Sequence, residues 1–79
     1  METVLNLQNY SQIIKKARID ANISQERAEI RCSVGKRRIS LYEHGKSYPR
    51  LDQFIRLLNY LGYEIVIKKK DLTVPLSQS

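Results

Sequence analysis

Two short helical patterns separated by only a few residues lie between Ser24 and Gly45, and they constrain this chain more than any other feature. Ser24 suits an N-cap, and Glu26 follows in the first turn, where a carboxylate meets the positive end of the helix. Ala28 and Cys32, four apart, give a helix over residues 25–32 its one apolar stripe, with Ile23 and Val34 on either side. Gly35 then begins a helix over residues 36–44, with Ile39 and Tyr42 inward and Gly45 as its stop. Lys36, Arg37, Arg38, Ser40, Leu41 and His44 are left for its other faces.

The flanks extend the pattern. Tyr10, Ile13, Ile14 and Ala17 recur at helical spacing and predict a helix over residues 7–21, with Asn6 as N-cap and Asn22 in the left-handed position that ends it. Pro49 precedes the most apolar element, residues 51–61, where Leu51, Phe54, Ile55, Leu57, Leu58 and Leu61 fall before the stop at Gly62. Residues 63–69 are β-branched and aromatic and too short for a further helix, so they read as a strand. Tyr63, Ile65 and Ile67 take one side of it, and Glu64, Val66 and Lys68 the other. Asp71 to Ser79 reads as a loose tail. The expected organisation is a helical domain over residues 1–62, a strand over 63–70 and a tail over 71–79.

Charge sharpens what such a domain does. Arg27 to Arg50 holds seven basic residues against Glu29 and Glu43, a net +5 of the chain's +6. Localised positive charge is the footprint of a polyanion binder, with a merely solvated basic face as the bland alternative. At 79 residues the chain is one domain with little room for a deep cleft. One cysteine and one histidine exclude an intrachain disulfide and most metal chemistry, so no cofactor is expected. Cys32 reads as a small core residue. No apolar run is long enough to span a membrane, and the N-terminus lacks the pattern of a signal peptide, so the expected location is the cytoplasm. No paired acid and base or nucleophile set supports an enzyme.

The residues Ile23-Ser24-Gln25-Glu26, then Val34, then Ile39, Tyr42, Glu43, Gly45, Lys46, Pro49 and Leu51 carry a resemblance. In register and without a gap, they match the Xre/Cro type of helix-turn-helix domain, a mainly α, lambda-repressor-like fold. The match also takes in Ile14 and Arg18 and covers about residues 7–62. The strand after the fourth helix looks like that of HipB-type antitoxins, where it pairs across a dimer. There are departures. Ala28 stands where the family has Leu, Glu29 where it has a small Ala, Ser33 where it has Gly, and Gly35 where it has Ser or Thr. A buried Glu29 needs a partner, for which Arg38 is available; alternatively the second helix is rotated and Ile30 turns inward.

The resemblance implies a DNA-binding face. Gln25, at the start of the second helix, would grip a phosphate. Lys36 and Arg37 match base-reading positions, and Ser40 and Leu41 can read bases one turn on, Leu41 against a thymine methyl. Arg38 faces either a phosphate or Glu29. The Gly35 N–H can still meet a phosphate without the usual hydroxyl. His44, Lys46, Tyr48 and Arg50 would follow the phosphate backbone. Arg18 and Glu43 match a structural salt bridge and carry no DNA role.

A lone strand has no partner within this chain, so the same strand from a second copy is the economical solution. The dimer surface is expected to comprise Phe54, Leu58 and Leu61 of the fourth helix with Tyr63, Ile65, Val66 and Ile67 of the strand. The expected function is sequence-specific repression at a double-stranded operator by a homodimer. The HipB-like strand implies the antitoxin of a HipBA-like operon, which binds a HipA-like kinase toxin and represses its own genes. The alternatives are a stand-alone Xre-type regulator and a protein-interaction module whose main task is toxin neutralisation through Ile30, Lys68-Lys69-Lys70 and the tail.

Overall fold

The computed structural model describes residues 3–70. The tail expected over residues 71–79, with its share of a toxin contact, lies outside the described residues. Four helices follow in order: α1 Tyr10–Asp20, α2 Gln25–Arg31, α3 Arg38–Glu43 and α4 Leu51–Tyr60.

All four helices end in the same way. The residue two past each helix is left-handed: Asn22 (φ 58°), Ser33 (φ 54°), Gly45 (φ 70°) and Gly62 (φ 93°). In each case two backbone N–H groups turn back onto the last turn. For α1 these are Asn22 N–H to Ile19 C=O (2.9 Å) and Ile23 N–H to Arg18 C=O (3.2 Å). For α4 they are Gly62 N–H to Asn59 C=O (3.1 Å) and Tyr63 N–H to Leu58 C=O (2.9 Å). This is the Schellman arrangement, which satisfies carbonyls the helix leaves open and redirects the chain sharply. Asn22, Gly45 and Gly62 are residues that tolerate the left-handed region, whereas Ser33 is not marked for it.

The starts differ more from expectation. Ser24 caps α2 by accepting from the Arg27 N–H at 3.0 Å. Regular α1 begins at Tyr10 rather than residue 7, because Asn6 caps a turn that precedes it. The Asn6 carboxamide oxygen accepts from Gln8 and Asn9 N–H, both at 2.9 Å, while Asn9 Oδ1 accepts from Asn6 N–H at 2.8 Å. α3 begins at Arg38, not Lys36. Arg38 N–H bonds to Gly35 C=O at 3.0 Å, and Arg37 stands at the N-cap with φ 67°. A third turn residue with positive φ after one with negative φ is a type II turn, usually closed by Gly or Asn at that place.

The core lies among the four helices. Ile14, Ala28, Cys32 and Ile39 are fully buried, joined by Tyr10, Ala17, Val34, Tyr42, Phe54, Leu57, Leu58 and Leu61. α3 packs on both α1 and α2. Burial pushes the Cys32 thiol above its ordinary range, with Arg56 acting the other way. Arg56 Nη1 also reaches the Cys32 carbonyl at 3.4 Å, tying α4 to the end of α2.

Two expectations that concern a dimer find no counterpart in the single chain. Phe54, Leu58 and Leu61 do not form a free surface; they are 5–7% exposed and belong to the core of the single chain. α4 closes the core with Phe54, Leu57 and Leu58, while Leu51 and Ile55 of the same helix stay exposed. Residues 63–70 form no strand in the single chain; the expected pairing was with a second copy of the same segment. Tyr63, Ile65, Val66 and Ile67 are therefore exposed, Ile67 at 94%. The Glu29 alternatives also resolve. Glu29 is half-buried and makes no ion pair with Arg38 among the described residues, and Ile30 points outward at 71% exposure.

Candidate nucleic-acid interface

α2 and α3 are joined by the residues from Cys32 to Arg37. The Schellman turn at Ser33 reverses the chain: Val34 N–H bonds to Glu29 C=O at 2.9 Å, and Ser33 N–H to Ile30 C=O at 3.4 Å. Val34 is buried and pins the turn to the core. The type II turn at Gly35–Arg38 then opens α3 with three consecutive cations, Lys36, Arg37 and Arg38, all exposed. Gly35 sits close beneath them; a Cβ there would meet Arg38 Cγ at 3.3 Å.

α3 divides cleanly into two sides. Ile39, Tyr42 and Glu43 are buried. Arg38 and Leu41, three apart and hence on one face, are exposed, and Ser40 is half-buried beside them. His44 at the end of the helix is exposed and folds back, its Nδ1 lying 2.8 Å from the Ser40 carbonyl and 3.4 Å from the Ser40 hydroxyl. No acidic group pairs with Lys36, Arg37, Arg38 or Lys46 among the described residues. The charge at the start of α3 and in the loop after it is thus open to an anion. Arg50 is partly engaged, its Nη2 lying 3.1 Å from Asp52 at an exposed site.

The orientation of α3 is held by a buried polar hub. Arg18, in the last turn of α1, donates from Nε to Glu43 Oε2 at 2.6 Å and from Nη2 to Oε1 at 3.0 Å. Its Nη1 donates to the Ile23 carbonyl between α1 and α2 at 2.9 Å. The Glu43 side chain is 2% exposed and that of Arg18 14%. The hydrogen bond to Glu43 raises the Arg18 guanidinium above its ordinary range, against the opposing effect of burial, so Arg18 stays charged.

Gln25 joins this hub. Its Nε2 donates to Glu43 Oε1 at 3.1 Å. The side chain expected to hold a phosphate therefore spends one of its N–H groups inside the protein and ties the start of α2 to the end of α3. That contact was not legible from the sequence, since nothing in a Gln at a helix start names its partner. Tyr48 is exposed, and its ring lies against that of Tyr10, with centroids 5.0 Å apart. Burial, with Tyr48 alongside, raises the Tyr10 phenol above its ordinary value, so it is a neutral donor.

Among the described residues no cluster of His, Cys, Asp and Glu could hold a metal, and no helix is long and apolar enough to cross a membrane. Neither the curated proteins nor the solved structures contain a significant match to the chain. The helix-turn-helix family model matches residues 14–67, which spans the last part of α1 through α4 and the segment after it. With the two-helix geometry, the open cations of α3 and that match together, the chain belongs to the Xre/lambda-repressor-like helix-turn-helix family of DNA-binding transcription regulators.

Proposed function

We propose that this chain is a sequence-specific transcriptional repressor that binds double-stranded operator DNA as a homodimer. The observation that carries it is the exposed and unpaired triad Lys36-Arg37-Arg38 at the start of α3, held by a buried hub behind it. In this fold the first turn of the second helix enters the major groove. Arg37 and Lys36 can there meet guanine O6 and N7, and Leu41 a thymine methyl. Lys46, Tyr48 and Arg50 follow the phosphate backbone and set register without reading sequence. Repression is steric: an occupied operator excludes polymerase, and no chemistry is needed.

The test is binding to a duplex from upstream of the chain's own gene across a range of salt. The affinity falls steeply, with a log–log slope near about −0.9 per neutralised phosphate. A Kd that does not move with salt removes the reading. Replacing both Lys36 and Arg37 with Ala abolishes preference for the operator.

A narrower role rests on residues 63–67 and their likeness to the HipB-type strand: the antitoxin of a HipBA-like operon, with a HipA-like kinase toxin as partner. Co-purification with the product of the adjacent gene tests it. A chain that purifies alone and still represses is a stand-alone regulator.

A further inference from the structure

Tyr10 lies on α1, apart from the basic residues, and the reading above makes no use of it. It is 7% exposed, and its hydroxyl donates to the Ser47 carbonyl at 2.9 Å across 37 residues of chain. Ser47 stands between Lys46 and Tyr48 in the loop from α3 to α4. The loop is fixed at its two ends by helix hydrogen bonds, Lys46 N–H to Leu41 C=O (2.9 Å) and Phe54 N–H to Arg50 C=O (2.8 Å). Between those ends, among the described residues, the Tyr10 hydroxyl is the one hydrogen bond to the backbone of residues 47–49. The Tyr48 ring is stacked at a tilt of 39° on the same Tyr10 ring although Tyr48 itself is 65% exposed. One side chain thus holds both the backbone and the aromatic ring of this loop.

We propose that Tyr10 is a positioning residue for DNA binding: without touching DNA, it holds the loop in the one arrangement that presents Lys46 and Tyr48 to the phosphate backbone. This rests on the reading that the loop follows that backbone. A loop ordered beforehand loses little conformational freedom on binding, whereas ordering even one more residue costs about tenfold in affinity. Phosphate contacts carry no sequence information, so the loss must fall equally on all duplexes.

The test is Tyr10→Phe, which keeps the ring and deletes the hydroxyl. Kd is measured on the upstream operator fragment and on an unrelated duplex, across salt. Binding weakens about tenfold on both, their ratio is unchanged, and the salt slope shrinks by up to ~1 as the Lys46 contact loosens. A folded variant that binds both duplexes as wild type does, or one whose ratio changes, overturns the proposal. A measurement on the wild-type chain stands beside it: backbone order parameters of Ser47 and Tyr48 in the free protein match the helices, near about 0.85, and values below about 0.6 overturn it whatever the variant does. Wild-type chain that shows no salt-dependent binding to either duplex fails the DNA reading itself, and this inference falls with it. Wild-type binding with an indifferent Tyr10→Phe removes Tyr10 alone.

Discussion

Single residues carry the contrast between fold and function most clearly where the backbone is left-handed. Ser33 and Arg37 both sit at positive φ, 54° and 67°, and neither residue type is suited to it. Their side chains face different tasks. Ser33 is exposed at the end of α2 and is assigned no contact, so Ser33→Gly removes backbone strain and nothing else. It is expected to stabilise the fold by up to ~1 kcal/mol, read as a higher urea midpoint, with DNA affinity unchanged. Arg37→Gly relieves similar strain but deletes a side chain proposed to read bases. A gain in stability of the same order, ~1 kcal/mol, should therefore come with a loss of operator preference. Equal effects of the two substitutions on DNA binding would show that Arg37 has no role in reading it. Three of the four left-handed helix ends were legible beforehand because Asn22, Gly45 and Gly62 are the residues that such turns select. Ser33 was not, since serine gives no local signal and only the way Val34 packs forces the turn there.

Elements are joined by the apolar core and also by the Arg18–Glu43–Gln25 hub, which touches α1, α2 and α3 at once. Helical periodicity puts Arg18 four residues after Ile14 and Glu43 four after Ile39, on the inward side of their helices; that the two pair with each other came from the resemblance. Gln25 shows the limit of such matching. Its position at the start of α2 suggested a phosphate contact, and one N–H of its amide is bonded to Glu43. Removing Gln25 as Ala costs a hydrogen bond to a charged group, about 1.5–3 kcal/mol, with the rest of the hub intact. Arg18→Ala leaves a buried carboxylate uncompensated and costs about 3–5 kcal/mol, enough to unfold much of so small a domain. The ordering of the two in thermal or urea denaturation is the checkable result; a Gln25→Ala chain as stable as wild type would mean the amide belongs to the phosphate after all. Apolar packing adds its share through α4. Leu57 is 1% exposed, and Leu57→Ala is expected to cost about 2–5 kcal/mol.

At the scale of the whole molecule, the sequence spoke of a strand and a dimer surface, and the two have separated. The β-branched run at residues 63–67 was legible as strand-forming material, but a strand is a property of a pair, and the described single chain offers no second edge. Phe54, Leu58 and Leu61 were expected at a dimer surface; in the single chain they are 5–7% exposed and belong to its core. Of the expected dimer surface, Tyr63, Ile65, Val66 and Ile67 stay exposed beyond the last helix, and the proposed self-association is placed on them. This makes the proposed dimer separable from the fold. Replacing Ile65 and Ile67 together with Lys puts like charges opposite one another in an antiparallel pairing of two copies, which strand edges do not tolerate. The variant should sediment as a monomer while keeping the helical circular dichroism of wild type, since no core residue is touched. Its operator affinity should fall far more than its affinity for unrelated DNA, because two recognition helices spaced by about 34 Å read a palindrome and one reads half of it. Had α4 formed the interface, the same substitutions would leave the dimer standing. A wild-type chain that remains monomeric at the concentrations where it binds its operator would remove the dimer and leave each helix-turn-helix to act alone.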